Sequence, residues 1–454
     1  MAINETNIKN VVSAGQPGIE NKIKRQQYYD GVQAILSEDP YRKTGQPRQL
    51  TVTNWIKYIT DQHTAFSVSN NINYLSTVDE NAPLDEFKQY YEDNMLDIND
   101  NENFKQAFAT GLGVEVLSLE NGEVKVNNYN PSEWILLRDP ERVLQYAIHI
   151  GTYAPGTVID GEIISKKTVV YTVYDNVNKY IYTKTDNNIR LTSEEPHLFP
   201  EVPVVDYQVL ADWDAAITDS LIQQQDAYNL LQSGNIDDVL YNVDAMLVLK
   251  GYQDGAMTET PTSEDGQEVQ KSVLEELAET QTLSLDDDAS AEFISKGNVP
   301  EKIDFALSTV KKQIHLEGQV VDVEEITGAT GSTSGIALKL RFAAMTNAAS
   351  AFTSYFEKGL RKRIDLINIT REILEKPQIE NYKIVFTFNI PVNDLETIKE
   401  INNLLTVLDK ETALSLLSFV DNPQEIIEKK ENESEIVQDP IEEEEPEDLV
   451  INIQ

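Results

Sequence analysis

The sequence contains no cysteine. Disulfides, iron–sulfur clusters and thiolate zinc sites are therefore excluded. Histidine is nearly as scarce. His63, His149, His197 and His315 are the four, and none stands at the spacing of a metal-binding pair. Basic residues are few, with 37 Lys and Arg against 77 Asp and Glu and a formal net charge of −40. Binding nucleic acid through clustered cations, or attaching to an anionic membrane surface, needs the opposite balance. No stretch approaches the roughly 18 apolar residues of a membrane-spanning helix. Met1-Ala2-Ile3-Asn4-Glu5-Thr6 carries neither a basic n-region nor an apolar h-region, so the expectation is a chain made and used in a cytosol.

What is present is a chain of 454 residues, 40% of them apolar, enough for about two to four domains with a real core. Amphipathic helices are predicted over 19–36, 54–68 and Leu84–Tyr91. From about residue 112 the apolar period becomes two. Strands are predicted at 114–119 and 124–129 around an Asn121-Gly122 turn, and again at 133–137, 144–151, 168–175 and 179–185. The fold class is α+β, with a mostly antiparallel sheet. A Pro-punctuated strand, Phe199 to Tyr207, leads into a helix starting near Asp214, with Gly234 as an expected interruption. A strand is predicted at Met246–Leu249. Residues 252–292 hold twelve acidic residues and one basic residue, Lys271. A short helix at 272–280 and a strand near 292–295 are predicted within them. A helix follows over 301–317, then a Gly- and Ser-rich stretch to Gly335 that reads as a loop. A long helical pattern runs from Leu338 to Leu374, followed by a strand at Lys383–Phe388 and two short helices between Ile398 and Phe419. The acidic tail from Glu425 reads as disordered.

No catalytic constellation emerges. The stretch Gly328-Ala329-Thr330-Gly331-Ser332-Thr333 has Thr333 where a P-loop needs its second glycine, and no lysine follows. No Gly-x-Ser-x-Gly elbow occurs. Acidic runs such as Asp237-Asp238, Asp286-Asp287-Asp288 and Glu324-Glu325 are expected by chance among 77 carboxylates. Asp286-Asp287-Asp288 could hold a divalent cation. The strongest basic cluster is Lys358, Arg361, Lys362 and Arg363. It reads either as a solvated helix face or as a contact with an acidic neighbouring subunit. Lys311 and Lys312 fall on the polar side of the 301–317 helix.

The order of elements resembles the portal proteins of tailed bacteriophages. The resemblance is carried by Tyr28-Tyr29-Asp30-Gly31 after Lys24-Arg25, and by Val202-Pro203-Val204-Val205-Asp206 followed by Asp226-Ala227-Tyr228-Asn229 and Ser233. It is carried further by Ser332-Thr333-Ser334-Gly335-Ile336-Ala337-Leu338-Lys339-Leu340 with Phe356–Arg363 downstream, and by Pro391-Val392-Asn393-Asp394. It covers roughly residues 20–430. The family pattern of a Gly-x-Pro exit after the helix near position 60 is absent from Phe66-Ser67-Val68-Ser69.

This resemblance implies a subunit built from an N-terminal wing (1–213), stem helices (214–240 and 300–319) around a clip (241–299), and a tunnel loop (320–335). A long wing helix with a closing strand (336–392), crown helices (393–430) and an acidic tail (431–454) complete it. It implies a ring of about twelve copies at one capsid vertex in the virion, assembled in the host cytoplasm. Double-stranded DNA would pass through without sequence readout. The partners would be the terminase large subunit, the major capsid and scaffolding proteins and a head–tail adaptor, with no membrane, metal or cofactor. Glu324, Glu325, Thr327, Gly328, Thr330, Gly331, Ser332 and Thr333 would face the DNA, Lys311 and Lys312 would line the channel, and Lys358, Arg361, Lys362 and Arg363 would meet a neighbouring subunit. No catalytic residue is expected. The competing readings are another multimeric virion protein, an adaptor or scaffold, and a metal-dependent hydrolase using the acidic clusters.

Overall fold

The helix that opens the chain begins at Ile8, eleven residues before the predicted start, and carries Pro17 in its interior. It stops at Gly31, whose φ of +85° only glycine adopts at low cost. The Gly31 N–H and the Val32 N–H then return to the carbonyls of Tyr28 and Gln27, closing the end of the helix. The predicted continuation to residue 36 is therefore a separate 3₁₀ turn, Ala34–Ser37. This computed structural model describes residues 3–41, 47–70, 72–120, 122–159, 162–185, 188–213, 215–241, 246–250, 257–258, 271–272, 290–294, 300–322, 335–389 and 427. Among the described residues the α-helices are α1 (Ile8–Asp30), α2 (Trp55–Ser67), α3 (Ala82–Asp93), α4 (Leu96–Thr110), α5 (Ile217–Tyr241), α6 (Pro300–Glu317) and α7 (Gly335–Ile373). The chain divides into two units, the first drawn from residues 1–62, 98–318 and 355–379, the second from 63–97, 319–354 and 380–454.

The first unit is organised by a five-stranded antiparallel sheet in the order Asn188–Pro196, Asn178–Thr185, Thr168–Tyr174, Leu144–Tyr153, Trp134–Arg138. Both of its faces are covered, and the two-residue period decides which side chain meets which layer. On one face Ile135, Ile148 and Val173 pack with Ile8 and Ile19 of α1. On the other, Trp134, Leu144 and Ala147 pack with Val114, Val116 and Val204. These last belong to a three-stranded sheet, Val204–Tyr207, Gly113–Glu120, Glu123–Tyr129, also antiparallel. Helix α1 lies so close to its sheet that a Cβ at Gly15 would stand 2.6 Å from Ile135 Cδ1.

Two elements of this unit were not anticipated. The edge strand Asn188–Pro196 buries only Ile189. Its Leu191 N–H is held by the Glu5 carboxylate at 2.7 Å. Helix α4 carries a polar run at its start and shows no clean apolar stripe. The Pro-punctuated strand is confined to Val204–Tyr207, because the prolines at 200 and 203 cannot donate to a ladder. Gly234 does not interrupt α5, which is continuous to Tyr241.

In the second unit, strands Asn73–Ser76 and Tyr382–Val385 pair antiparallel. The second is shorter than the predicted Lys383–Phe388, because the chain beyond Val385 leaves the ladder. Asn81 caps α3 by accepting from Leu84 N, and its amide donates to the Glu380 carbonyl at 2.8 Å. Phe66 stacks between Phe342 and Phe388, with centroids 6.1 and 5.6 Å away. Helix α7 supplies residues to both units. Its 39 residues slightly exceed the predicted length. In the 252–292 stretch, Lys271–Ser272 pairs as strand with Met257–Thr258. The rest of the predicted 272–280 helix lies outside the described residues, as do the helices between Ile398 and Phe419 and the acidic tail apart from Ile427.

His197 closes one end of the five-stranded sheet. The Phe199 N–H donates to its Nδ1 at 3.3 Å, so the proton sits on Nε2, which donates to the Asp175 carbonyl at 2.8 Å. Burial pushes its pKa below the ordinary imidazole value, although the Asp175 carbonyl and carboxylate pull it up. The folded state thus prefers neutral His197. Its contribution to stability is complete above about pH 6.5 and falls as the pH drops from there through the folded-state pKa. Melting temperature measured between pH 8 and pH 5 should decline in the wild type, and more shallowly in His197→Gln. Parallel curves would refute this role.

Candidate functional site

Helix α5 presents Gln225, Asn229, Ser233 and Asp237 on one face, four residues apart, all buried. An extended segment runs antiparallel along them. Trp55 N–H donates to Gln225 Oε1 (2.9 Å), Thr53 N–H to Asn229 Oδ1 (3.1 Å), Thr51 N–H to Ser233 Oγ (3.0 Å) and Gln49 N–H to Asp237 Oδ1 (2.8 Å). The match has a geometric cause. Four helical residues advance about 6 Å, and two extended residues about 6.6 Å. Every second amide of the segment therefore meets every fourth side chain of the helix. Four polar side chains replace the neighbouring strand that these amides would otherwise need. The Gln225 amide also donates to the Thr53 carbonyl at 2.7 Å, and the Asn229 amide to Gln33 Oε1 at 2.6 Å.

Helix α1 joins the same block. Arg25 grips both oxygens of Asp219, at 2.8 and 2.6 Å. Tyr28 O–H donates to Asp226 at 3.0 Å, and burial together with that carboxylate pushes its pKa up to about 12. Tyr28, Asp226, Asn229 and Ser233, which carried part of the family resemblance, thus meet in one network. Gln225 and Asp237 belong to it; Gln225 was not singled out, and Asp237 was read only as part of a chance acidic pair.

The start of α5 lies against the end of α6, where Gln224 donates to Glu317 at 2.9 Å, so the two helices run antiparallel. Trp55 fills the space between them, edge-on to Tyr228 at 5.7 Å and to His315 at 5.1 Å. Beyond α5 and before α6 the chain forms an antiparallel strand pair, Met246–Lys250 with Ser290–Ile294. The outward surface of the helix pair is unusually apolar: Phe305 is 72% exposed, Leu316 77%, Val239 66%, and Leu230 and Leu240 are each more than half exposed.

Of the predicted channel cations, Lys312 is exposed. Lys311 turns over the Trp55 ring, its Nζ 5.7 Å from the centroid. The basic cluster on α7 does not share one face. Lys358 is exposed beside Tyr355, and Arg361 is exposed and bonded to Glu357 at 2.8 Å. Lys362 is half-buried near Asp206, and burial lowers its pKa.

Arg363 departs from the surface reading altogether. It is wholly buried, with Nη2 2.6 Å from both Asp100 Oδ1 and Glu115 Oε2 and Nε 2.8 Å from Glu115 Oε1. Burial alone would lower its pKa; the two carboxylates hold it well above the ordinary guanidinium value. Its i+7 spacing from Phe356 and i+4 spacing to Ile367 place it on the apolar stripe, a signal present in the sequence. The eight loop residues from Glu324 to Thr333 lie outside the described residues.

Among the described residues no group of three or more His, Asp or Glu is placed to hold a metal. No described helix is long and apolar enough to cross a membrane. The buried side chains of Gln225, Asn229, Ser233 and Asp237 are paired with backbone, and that of Arg363 with opposite charge, as in a scaffold.

A family model described as "Phage portal protein, SPP1 Gp6-like" matches residues 19–439. No curated protein matches the chain. Solved structures of low similarity include a chain from the virion of a native gene transfer agent particle, at 9% identity and a TM-score of 0.39. A second comes from the neck of an empty particle of that kind computed with C6 symmetry, at 10% identity and a TM-score of 0.36. Each alignment covers 80% of this chain and 88% of the other.

Proposed function

Because the chain belongs to the SPP1 Gp6-like family of phage portal proteins, we propose that it forms a ring of about twelve copies at one capsid vertex and that double-stranded DNA enters and leaves through the centre of that ring. The family match over residues 19–439 carries the reading. The family is structural rather than enzymatic; in this reading ATP hydrolysis falls to the terminase.

Helices α5 and α6 are the stem in this reading. Their exposed Leu230, Val239, Leu240, Phe305 and Leu316 supply an apolar surface that the same helices of adjacent copies would cover. Residues 241–299 are the clip, on which the terminase large subunit and later the head–tail adaptor dock. Residues 1–213 with the long helix α7 form the wing, which meets the major capsid and scaffolding proteins, and 393–430 form the crown. Lys312 lines the channel, with Lys311 drawn back onto Trp55. Lys358 and Arg361 are the members of the basic cluster left exposed for a neighbouring subunit.

The charge balance fits a conduit. A chain of net charge −40 repels phosphate, and a channel that must let DNA slide benefits from weak attraction. Thr327, Thr330, Ser332 and Thr333 are uncharged and short. With Gly328 and Gly331 between them, they would touch the DNA backbone without reading bases, and Glu324 and Glu325 would keep it from sticking. Deletion of Gly328–Ser334 should leave rings intact in negative stain and reduce the DNA packaged or retained per particle. Failure of rings to assemble would overturn the placement of this loop in the channel. Normal packaging and retention would overturn its role there.

A further inference from the structure

The outward side of α6 is regular. Lys302, Phe305, Thr309, Lys312 and Leu316 are all exposed and follow one another at steps of three, four, three and four residues. That alternation is the seam by which two helices pack. Ile314, wholly buried, lies on the opposite side of the helix.

Helix α5 carries a matching stripe. Ser220, Gln223, Ala227, Leu230 and Gly234 repeat the same steps, and all but the half-buried Ala227 are exposed. The stripe stands apart from the face of Gln225, Asn229, Ser233 and Asp237. Gly234 is its notch. Glycine inside a helix lowers stability relative to alanine, and a Cβ at Gly234 would meet nothing within 4 Å. Nothing among the described residues of the subunit therefore calls for glycine at this position. Charge matches as well. The α6 stripe includes two lysines and no carboxylate, while α5 holds four aspartates and no basic residue.

We propose that the α6 stripe of one copy packs on the α5 stripe of the next, with Phe305 and Thr309 closing over Gly234 and Leu316 over Ala227. The pairing rests on the ring put forward above and names the two surfaces that close it. The Gln224–Glu317 bond sets the level along the helices. Both rise about 1.5 Å per residue, so each step up α5 is matched by one step down α6. Leu316 is then level with Gln225, between Gln223 and Ala227. Thr309 is level with Gln232, between Leu230 and Gly234, and Phe305 with Ile236, half a turn beyond Gly234. A rotation axis along the helix pair keeps that level from copy to copy. Different surfaces of each copy meet, so the contact repeats head to tail and can close on itself. Lys312, on the same stripe, is long enough to carry its ammonium past the contact toward the channel.

The chain has no cysteine, so introduced thiols report the contact without background. Gly234→Cys subunits co-assembled with Thr309→Cys subunits should give cross-linked dimers with a short bis-maleimide. Either variant assembled alone should give none, and one thiol per chain excludes a link within a chain. Gly234→Trp, which fills the notch, should leave the subunit folded by far-ultraviolet circular dichroism. It should raise the concentration at which rings dissociate by about tenfold or more. Rings that form without cross-links in the mixture, or Gly234→Trp rings as stable as the wild type, would overturn the pairing and leave the ring standing. Cross-links in Gly234→Cys alone would overturn it too, since like surfaces would then meet. Absence of rings from the unsubstituted chain would overturn the ring reading, and the pairing with it.

Discussion

Replacement of Arg363 by methionine is expected to destabilise the first unit by about 3–5 kcal/mol. The guanidinium is fully buried, and it balances the buried carboxylates of Asp100 and Glu115. Without it, two like charges remain in the core. The Tyr207 hydroxyl at 3.2 Å and the Asn103 amide at 3.2 Å still donate to Glu115, but neither carries charge. The cluster also ties together elements far apart in sequence: α4 through Asp100, the three-stranded sheet through Glu115, and α7 through Arg363. Its loss therefore loosens three elements at once. Arg363→Lys keeps the charge but loses the planar fork that bonds both carboxylates, and should cost about 1–3 kcal/mol. The triple variant Arg363→Met, Asp100→Leu, Glu115→Leu should recover much of what the single change loses, because no charge is then stranded. Thermal or urea unfolding monitored in the far ultraviolet measures all three. A wild-type melting temperature for Arg363→Met would contradict this account of the core.

The second large effect concerns assembly. Phe305→Asp combined with Leu316→Asp should leave the subunit folded, since both side chains are more than 70% exposed within it. In a ring, each interface would lose the burial of two large apolar side chains and gain two charges in their place. Burial alone is worth about 1.5–3 kcal/mol per side chain, so each contact should weaken by about two to four powers of ten. A closed ring depends on every one of its contacts. The variant should therefore sediment as small species at micromolar concentration. Rings that form and persist as in the wild type would show that α5 and α6 do not meet between copies.

How much of this was legible in the sequence depends on what each element needs from its residues. The period-two segments around 114–129, 134–153 and 168–185 declared themselves because their apolar residues alternate, and all of these strands but Glu123–Tyr129 bury side chains in the core. The strand Asn188–Pro196 did not, because an edge strand is held by one buried residue, Ile189, and by the Glu5 carboxylate from far away in the sequence. Helix α4 was hidden because its buried face mixes Leu96, Phe104 and Phe108 with Asp100 and Asn103. A stripe that includes charge looks polar until its partner is known. Arg363 posed the same problem in reverse: Lys358, Arg361 and Lys362 around it drew it into a surface cluster, while its spacing from Phe356 and Ile367 pointed inward. The Gln225–Asn229–Ser233–Asp237 ladder could have been found from its regular four-residue polar spacing. Its partner could not, because residues 49–54 form neither helix nor strand and carry no periodic signal of their own.

The ladder also bears on how such a subunit would work. Through Arg25–Asp219, Tyr28–Asp226 and four backbone clasps, α1, residues 49–55 and α5 act as one block. A displacement of α5 would then be carried into the sheet-bearing part of the unit rather than absorbed at a loose joint.

Native mass measurement of the purified full-length protein tests the central claim most directly. A portal subunit should appear as one closed species of about twelve chains, stable on dilution to nanomolar concentration. A monomer or dimer at micromolar concentration, or an open series of ever larger species, would contradict it.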